Sequence, residues 1–181
     1  LLTDYFELIK NVEIDLISIC TPHYWHKQMA IAALKQGKHV LVEKPMALNV
    51  KDSMEMIKTS QQTGNRLYVM KQNRFNVPII LTKKVLDEGR LGKIYMVQCN
   101  VYWNRNREYY SESDWRGNKA NEGGALFTQA SHFIDLLIWW FGDVTKAKGI
   151  VDTKMQQIEV EDCGNAIMDF SSGVQGSITW T

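Results

Sequence analysis

The sequence predicts an α/β segment built on a parallel sheet, followed by an α+β segment whose sheet is mostly antiparallel. Three observations predict it. The run Val40-Leu41-Val42 is short and wholly apolar, as a strand buried on both faces is, and it follows another buried strand and a helix-forming stretch. After Gly92 the pattern changes to longer β-rich runs carrying alternate polar residues. The strongest helical periodicity of the chain then sits among these later strands.

Residues 1–10 read as the tail of a connection and a short helix. Residues 14–20 are the first strand, closed by Thr21-Pro22. Residues 23–36 follow with Met29, Ala30, Ile31, Ala32, Ala33 and Leu34 as helix formers, and Gly37 suits the position just past a helix end. Residues 40–42 form the next strand, and two buried strands joined by one helix make a right-handed βαβ unit. Asn49 suits an N-cap with Asp52 in the first turn, and that helix runs through Met54, Met56 and Ile57 to Gly64. Residues 66–70 are a third strand leading into Gln72-Asn73-Arg74-Phe75-Asn76. Pro78 opens a helix that turns Ile80, Leu81, Val85 and Leu86 inward and ends at Gly89.

Residues 94–103 fit an antiparallel strand exposed on one face. Residues 104–122 are polar and aromatic with no clear period, and a loop this long is more often functional than idle. Gly123-Gly124 introduces one helix that places Leu126, Ala130, Phe133, Ile134, Leu137, Ile138 and Phe141 on a single face and ends at Gly142. Strands follow at 146–153, 163–170 and 174–180, the last two joined by Ser171-Ser172-Gly173 as a hairpin.

The 181 residues carry 21 basic and 20 acidic side chains, a net charge of +1, which argues for no nucleic-acid or acidic-surface partner. Cys20, Cys99 and Cys163 are odd in number and widely spaced, so they read as small buried hydrophobes of a reducing compartment. No apolar run reaches the roughly 20 residues of a membrane span, and the first residues lack the pattern of a signal peptide. The chain starts without Met and stops within a strand-like pattern, so it reads as a piece of a longer, cytoplasmic protein.

The organising stretch is His39-Val40-Leu41-Val42-Glu43-Lys44-Pro45. Ligands bind at the carboxyl ends of strands in open α/β sheets, so Lys44 stands where chemistry is expected. Pro45 stops the strand and is a candidate for a cis bond to Lys44. On the long helix Thr128, Gln129, His132 and Asp135 share a polar flank. A lone histidine among apolar residues is more often a core residue satisfied by a neighbour such as Asp135 or a carbonyl. Lys44 reverses that weighting, because an ammonium and an imidazole on one cleft suit alcohol oxidation. The imidazole accepts the hydroxyl proton, and the ammonium stabilises alkoxide character on the same oxygen as hydride leaves the carbon. His23 and His26 flank Tyr24-Trp25, but no cysteine or carboxylate lies near them and a metal site is rejected.

Thr21-Pro22-x-x-x-His26, Ala33-Leu34-x-x-Gly37-Lys38 through Glu43-Lys44-Pro45, Gly123-Gly124-Ala125 and His132-x-x-Asp135 together resemble the Gfo/Idh/MocA oxidoreductases. This is the family of glucose–fructose oxidoreductase and inositol dehydrogenase. The resemblance runs in order over essentially the whole chain, and the Glu-Lys-Pro block is its specific part. It implies the C-terminal half of a Rossmann dinucleotide-binding domain over residues 1–74. Over residues 75–181 it implies part of a mostly antiparallel-sheet domain for substrate binding and subunit pairing. Lys44 and His132 match the family's catalytic pair. The resemblance sets Thr21, Pro22, His26, Glu43, Lys44, Gln72, Trp115 and Arg116 beside the cofactor, and Asn73, Arg74, Arg105, Thr128, Gln129 and His132 toward the substrate. The cofactor it implies is NAD or NADP, with NAD favoured. The Gly-x-Gly-x-x-Gly turn and the residue that selects between them belong to a first βαβ unit of about 60 residues ahead of Leu1, so this piece alone is expected to be inactive.

Thr128 stands where many members carry an aspartate four residues before the histidine, unlike the polyol-dehydrogenase form of the relay. Residues 72–76, Tyr102-Trp103-Asn104-Arg105 and the stretch from Glu108 to Gly117 resemble one branch in particular. Its bacterial dehydrogenases act at C3 of UDP-N-acetylglucosamine-type sugars, including the uronate, for surface-polysaccharide synthesis. Arg74, Arg105, Arg107 and Arg116 are then candidates for a diphosphate or carboxylate, with some of them a solvated rim. The expectation is a nucleotide-sugar dehydrogenase, a homodimer or homotetramer through its second sheet, with no nucleic-acid or membrane partner. The alternatives are an inositol, polyol or free-sugar dehydrogenase of the same family, and a non-catalytic member that binds ligand or senses cofactor.

Overall fold

The computed structural model describes residues 4–181 and divides into two units: the residues up to Met70 with Ala120–Glu122, and Lys71–Lys119 with Gly123–Thr181. The expected connection at residues 1–3 lies outside the described residues. In the first unit a short helix, α1 (Tyr5–Lys10), is capped by the Asp4 carboxylate, which accepts from the Phe6 amide at 2.9 Å. Three strands follow, β1 (Leu16–Ile19), β2 (His39–Val42) and β3 (Leu67–Val69), all parallel and in spatial order β1-β2-β3. Parallel neighbours need crossover connections. These are α2 (His26–Lys35), entered through a 3₁₀ turn at His23–Trp25, and α3 (Val50–Thr63). Asn49 caps α3 by accepting from the Asp52 amide at 2.9 Å, and Gly64 ends it at φ 72°. Ile19, Ala30, Ala33, Leu34, Val40, Val42 and Met56 form the core between sheet and helices.

The second unit holds a four-stranded sheet in the order β4-β7-β6-β5, from β4 (Met96–Val101), β5 (Val144–Asp152), β6 (Cys163–Phe170) and β7 (Gln175–Trp180). β5, β6 and β7 pair antiparallel, and Gly173 at φ 85° makes the β6–β7 turn. The expectation for residues 94–103 needs correction: β4 runs parallel to β7, with Met96 opposite Gln175 and Val101 opposite Trp180. Alternation identifies a one-sided strand but carries nothing about the direction of its partner. The helix α4 (Val77–Asp87) also departs from expectation, with no buried residue and with Ile80 and Leu81 47% and 55% exposed. It meets the core of this unit through Leu86 near its C-terminal end. Residues 104–122 are not all loop, because α5 (Arg107–Ser111) forms there, capped by Asn106. The cysteines are free, but Cys20 is exposed and the other two are half-buried, so none is a buried hydrophobe. Among the described residues no helix is long and apolar enough to cross a membrane.

The long helix is two elements. A π-helical stretch, Leu126–Ala130, buries Thr128, Gln129 and Ala130 in succession, and α6 (Ser131–Phe141) continues it. Such widened turns occur often at functional sites. Leu137 and Phe141 of α6 pack with Phe170, Ile178 and Trp180. Its entry is set by Gly123 and Gly124, at φ 97° and 95°. A Cβ on Gly124 would lie 1.9 Å from the Glu161 carboxylate. That carboxylate accepts from the Leu126 amide at 2.8 Å, satisfying a donor at the helix start, where negative charge is favourable. Next to it, the buried Asp162 carboxylate accepts from the amides of Lys154, Met155 and Gln156 at 2.7–2.9 Å and shapes the 153–162 loop.

Gly124→Ala should therefore cost about 2–4 kcal/mol in denaturant unfolding, because it adds loss of the Glu161 contact to the backbone penalty. Gly37→Ala, at φ 81° with open space around it, should cost only the backbone penalty of about 1–2 kcal/mol. Equal losses would show that the Glu161 contact contributes nothing.

Candidate active site

Ile19 pairs level with Val42, so β1 and β2 end side by side. Beyond them the Glu43 amide donates to the Ile19 carbonyl at 2.9 Å, and the Lys44 amide donates to the Glu43 carboxylate at 3.2 Å. Lys44 is half-buried, Pro45 is buried, and the peptide between them is cis. The Thr21 hydroxyl donates to the Met29 sulfur at 3.6 Å. Thr21, Pro22, Glu43 and Lys44 thus gather at the carboxyl end of one parallel sheet, where dinucleotides bind in such folds. A hydroxyl, a carboxylate and an ammonium there fit ribose hydroxyls and a nicotinamide ring. The glycine-rich turn for the pyrophosphate is not part of the chain.

His26 does not fit its expected place beside the cofactor. Its side chain is fully buried, with Nδ1 2.8 Å from the Pro45 carbonyl oxygen and Nε2 2.9 Å from that of Thr21. Both nitrogens face backbone carbonyls, one of them donating, and the fully buried ring offers no surface to a ligand. His23 lies one turn earlier, its ring 5.7 Å from that of His26 and its Nδ1 3.4 Å from the Glu122 carbonyl oxygen. Burial pushes its pKa down to about 4; the Glu122 contact opposes this, and His26 and Lys44 add to it.

In the second unit, His132 is buried in the first turn of α6. Thr128 Oγ1 lies within hydrogen-bond distance of the Gly124 carbonyl (2.8 Å) and of Gln129 Oε1 (2.6 Å), which makes it an internal tie of the π-helical turn. Asp135, which the core-histidine reading offered beside a carbonyl as a neighbour for His132, accepts two hydrogen bonds from Arg74, at 2.7 and 2.8 Å, with the Lys71 ammonium 3.9 Å away. Arg74 also sits 5.1 Å from the Trp139 ring centroid. Arg74 was expected to hold substrate, yet both ends of this bidentate pair belong to the protein. Burial lowers the Lys71 pKa, Asp135 opposes that, and Arg74 adds to it.

Arg116 donates to the Tyr109 carbonyl and the Glu112 carboxylate and lies 4.3 Å from the Tyr109 ring centroid. Arg105 lies 4.7 Å from the same centroid and 5.4 Å from that of Trp103. Arg105 and Gln129 line one cavity of about 340 Å³ with Trp103, Asn104, Tyr110 and Asp162. Aromatic walls, an amide and a guanidinium suit a polar, ring-shaped ligand. A groove of about 370 Å³ over the sheet, between Met96 and Ile167, contains none of the candidate residues. Gln72 is exposed and Asn73 half-buried on a 3₁₀ turn at Gln72–Phe75, Arg107 is exposed, and Trp115 is half-buried.

Thr21, Pro22, Glu43 and Lys44 therefore belong to the first unit, and all other candidates apart from His26 to the second. Within the second, Arg105 and Gln129 share a cavity, while Arg74 is drawn to Asp135. Sequence reasoning does not single out Tyr109, Glu122 and Glu161 as site residues: Glu122 and Glu161 meet partners 99 and 35 residues away, and Tyr109, whose ring Arg105 and Arg116 approach, lies in the 104–122 stretch marked only by its length. Among the described residues, no group of three or more His, Cys, Asp or Glu is placed to hold a metal.

A parallel α/β unit with its candidate residues at the strand ends, joined to a second unit with a mixed sheet, defines a dinucleotide-fold oxidoreductase architecture. Residues 1–71 match an oxidoreductase family with an NAD-binding Rossmann fold, and residues 79–181 match the GFO/IDH/MocA C-terminal domain. The chain belongs to the Gfo/Idh/MocA family of oxidoreductases. It is similar to the WlbA dehydrogenase of Bordetella pertussis, solved with NADH and UDP-GlcNAcA: 39% identity, TM-score 0.95, covering 99% of this chain and 52% of that one. The WlbA enzyme of Chromobacterium violaceum, solved with the same two ligands, is 38% identical at a TM-score of 0.94, covering 98% of this chain and 52% of that one. A 1-carboxy-3-chloro-3,4-dihydroxycyclohexa-1,5-diene dehydrogenase of Comamonas testosteroni is 31% identical over 98% of this chain and 45% of its own length. The chain spans about half the length of these relatives.

The depressed His23 pKa has a consequence for stability. The unfolded chain binds this proton with ordinary affinity, near pH 6.5, and the folded chain resists it. The His23 contribution should be complete above about pH 6.5 and be lost as the pH falls toward about 4. Denaturant midpoints across that range should fall more steeply for the unsubstituted protein than for His23→Asn; identical slopes would contradict the assignment.

Proposed function

We propose that the complete protein is a nicotinamide-dependent dehydrogenase that transfers hydride between C3 of a UDP-N-acetylhexosamine, or its uronate, and NAD. The observation that carries this is the 39% identity, over 99% of the chain, to an enzyme solved with NADH and UDP-GlcNAcA. When bound, the dinucleotide supplies the two-electron acceptor. Thr21, Pro22, Glu43 and Lys44 would hold it at the strand ends, and Gln72, Trp115 and Arg116 would be further contacts to it. The Lys44 ammonium hydrogen-bonds the C3 oxygen and stabilises negative charge there as the C3–H bond breaks. His132 takes the hydroxyl proton. Arg105 and Gln129, which line one cavity, hold the sugar or its carboxylate, and Asn73 is a further substrate contact.

The tie from Thr128 to Gly124 and Gln129 supports a nucleotide-sugar rather than a polyol substrate. The position that would supply a relay carboxylate holds a hydroxyl directed within the turn. The open sheet face, with Met96, Ile150 and Ile167 at 71%, 78% and 63% exposed, supports pairing of subunits there. The protein acts in the cytoplasm, where nucleotide sugars are made.

Nicotinamide absorbance with the complete protein and a panel of UDP-sugars, inositols and free hexoses tests this reading. Reduction of NAD should be strongest with UDP-N-acetylglucosamine or its uronate. Preference for an inositol or a free hexose would replace the substrate class, and no turnover with any of them would favour a binding role.

A further inference from the structure

We propose that His26 is a positioning residue for Lys44: its imidazole, set between the Pro45 and Thr21 carbonyls, donates from Nδ1 to the Pro45 carbonyl and so sets where the end of β2 presents the ammonium. This rests on the reading of Lys44 as the group that touches the reacting oxygen.

The strand ladder carries the register of β1 against β2 only as far as the hydrogen bond from the Glu43 amide to the Ile19 carbonyl. Lys44 follows, and the chain then turns away at Pro45, which has no amide hydrogen to continue the ladder. The imidazole takes over where the ladder stops. Its ring nitrogens lie 2.8 Å from the Pro45 oxygen, next to Lys44 in the chain, and 2.9 Å from the Thr21 oxygen beyond β1. It can hold that geometry because it is fully buried at the first turn of α2, one turn before the buried Ala30. His23 extends the arrangement, since its Nδ1 faces the Glu122 carbonyl from the 3₁₀ turn that leads into His26. A flexible lysine side chain delivers its charge accurately only from a fixed backbone, and a misplacement of about 1 Å at a reacting centre can cost on the order of 10²-fold in rate.

The two carbonyls can be tested separately, because an asparagine amide nitrogen lies where imidazole Nδ1 does and a glutamine amide nitrogen where Nε2 does. His26→Asn keeps a donor for Pro45; His26→Gln keeps one for Thr21. In the complete protein, H26N should hold kcat within about three-fold of the unsubstituted enzyme, and H26Q should lose about 10–10²-fold, with KM for the dinucleotide little changed in both. Equal kcat values in the two variants, or the reverse order, would overturn the proposal. Lys44→Ala is run beside them. If it keeps full activity, the reading of Lys44 fails; if it is inactive while H26Q is normal, only the positioning role fails. Should either histidine variant not fold, ¹⁵N-histidine spectra of the unsubstituted protein decide. The proposal requires an Nδ1–H at His26 that is slow to exchange with water, and a fast-exchanging or absent Nδ1–H overturns it.

Discussion

Parallel strands cannot be closed by a tight turn, so their carboxyl ends have to be held by something other than their own connections. In this chain the level pairing of Ile19 with Val42 brings two such ends together, and a buried imidazole spans the carbonyls just beyond them. The rest of the first unit supports that arrangement. α2 delivers His26 into the core, the Asn49 cap starts α3 at its own place, and Met56 of α3 packs under the fully buried Val40 and Val42. The outcome is an ammonium fixed at a sheet end by backbone that packing has already made rigid.

The second unit solves a similar problem for a helix. His132 lies directly after a π-helical turn whose start requires two glycines with positive φ and a carboxylate contributed by Glu161. One turn later Asp135 receives the Arg74 fork, which ties α6 to the segment that follows β3. Neutralising Asp135 in this way leaves the polar flank of the helix without an uncompensated carboxylate. The half-buried bidentate geometry makes the pair a firmer anchor than an exposed ion pair, whose worth is about 0–1 kcal/mol.

Local signals made much of this legible. The Val40–Val42 run, the Asn49 cap, Gly37, Gly64 and Gly142 each act through their own backbone or nearest turn, and the strands and helices of the first unit fall where those residues place them. What stayed hidden depended on partners far along the chain. The direction of β4 is decided by β7 some eighty residues later. Arg74 carries no mark in the sequence that Asp135, 61 residues on, is its partner. A π-helical turn has nearly the same apolar spacing as an α-helix, so the period that identified the helix could not show its widened first turn. The TPxxxH pattern marked His26 as important, but spacing alone could not tell a ligand contact from a buried ring set against backbone carbonyls.

In the proposed mechanism an amine and an imidazole share one oxygen. A crystal structure of the complete protein with oxidised dinucleotide and UDP-N-acetylglucosaminuronate tests that most directly. It should place Lys44 Nζ within about 3 Å of the sugar's C3 oxygen, with a ring nitrogen of His132 against the same atom. A C3 oxygen held by other groups, with Lys44 turned toward solvent, would contradict the mechanism and leave only the fold in common with the family.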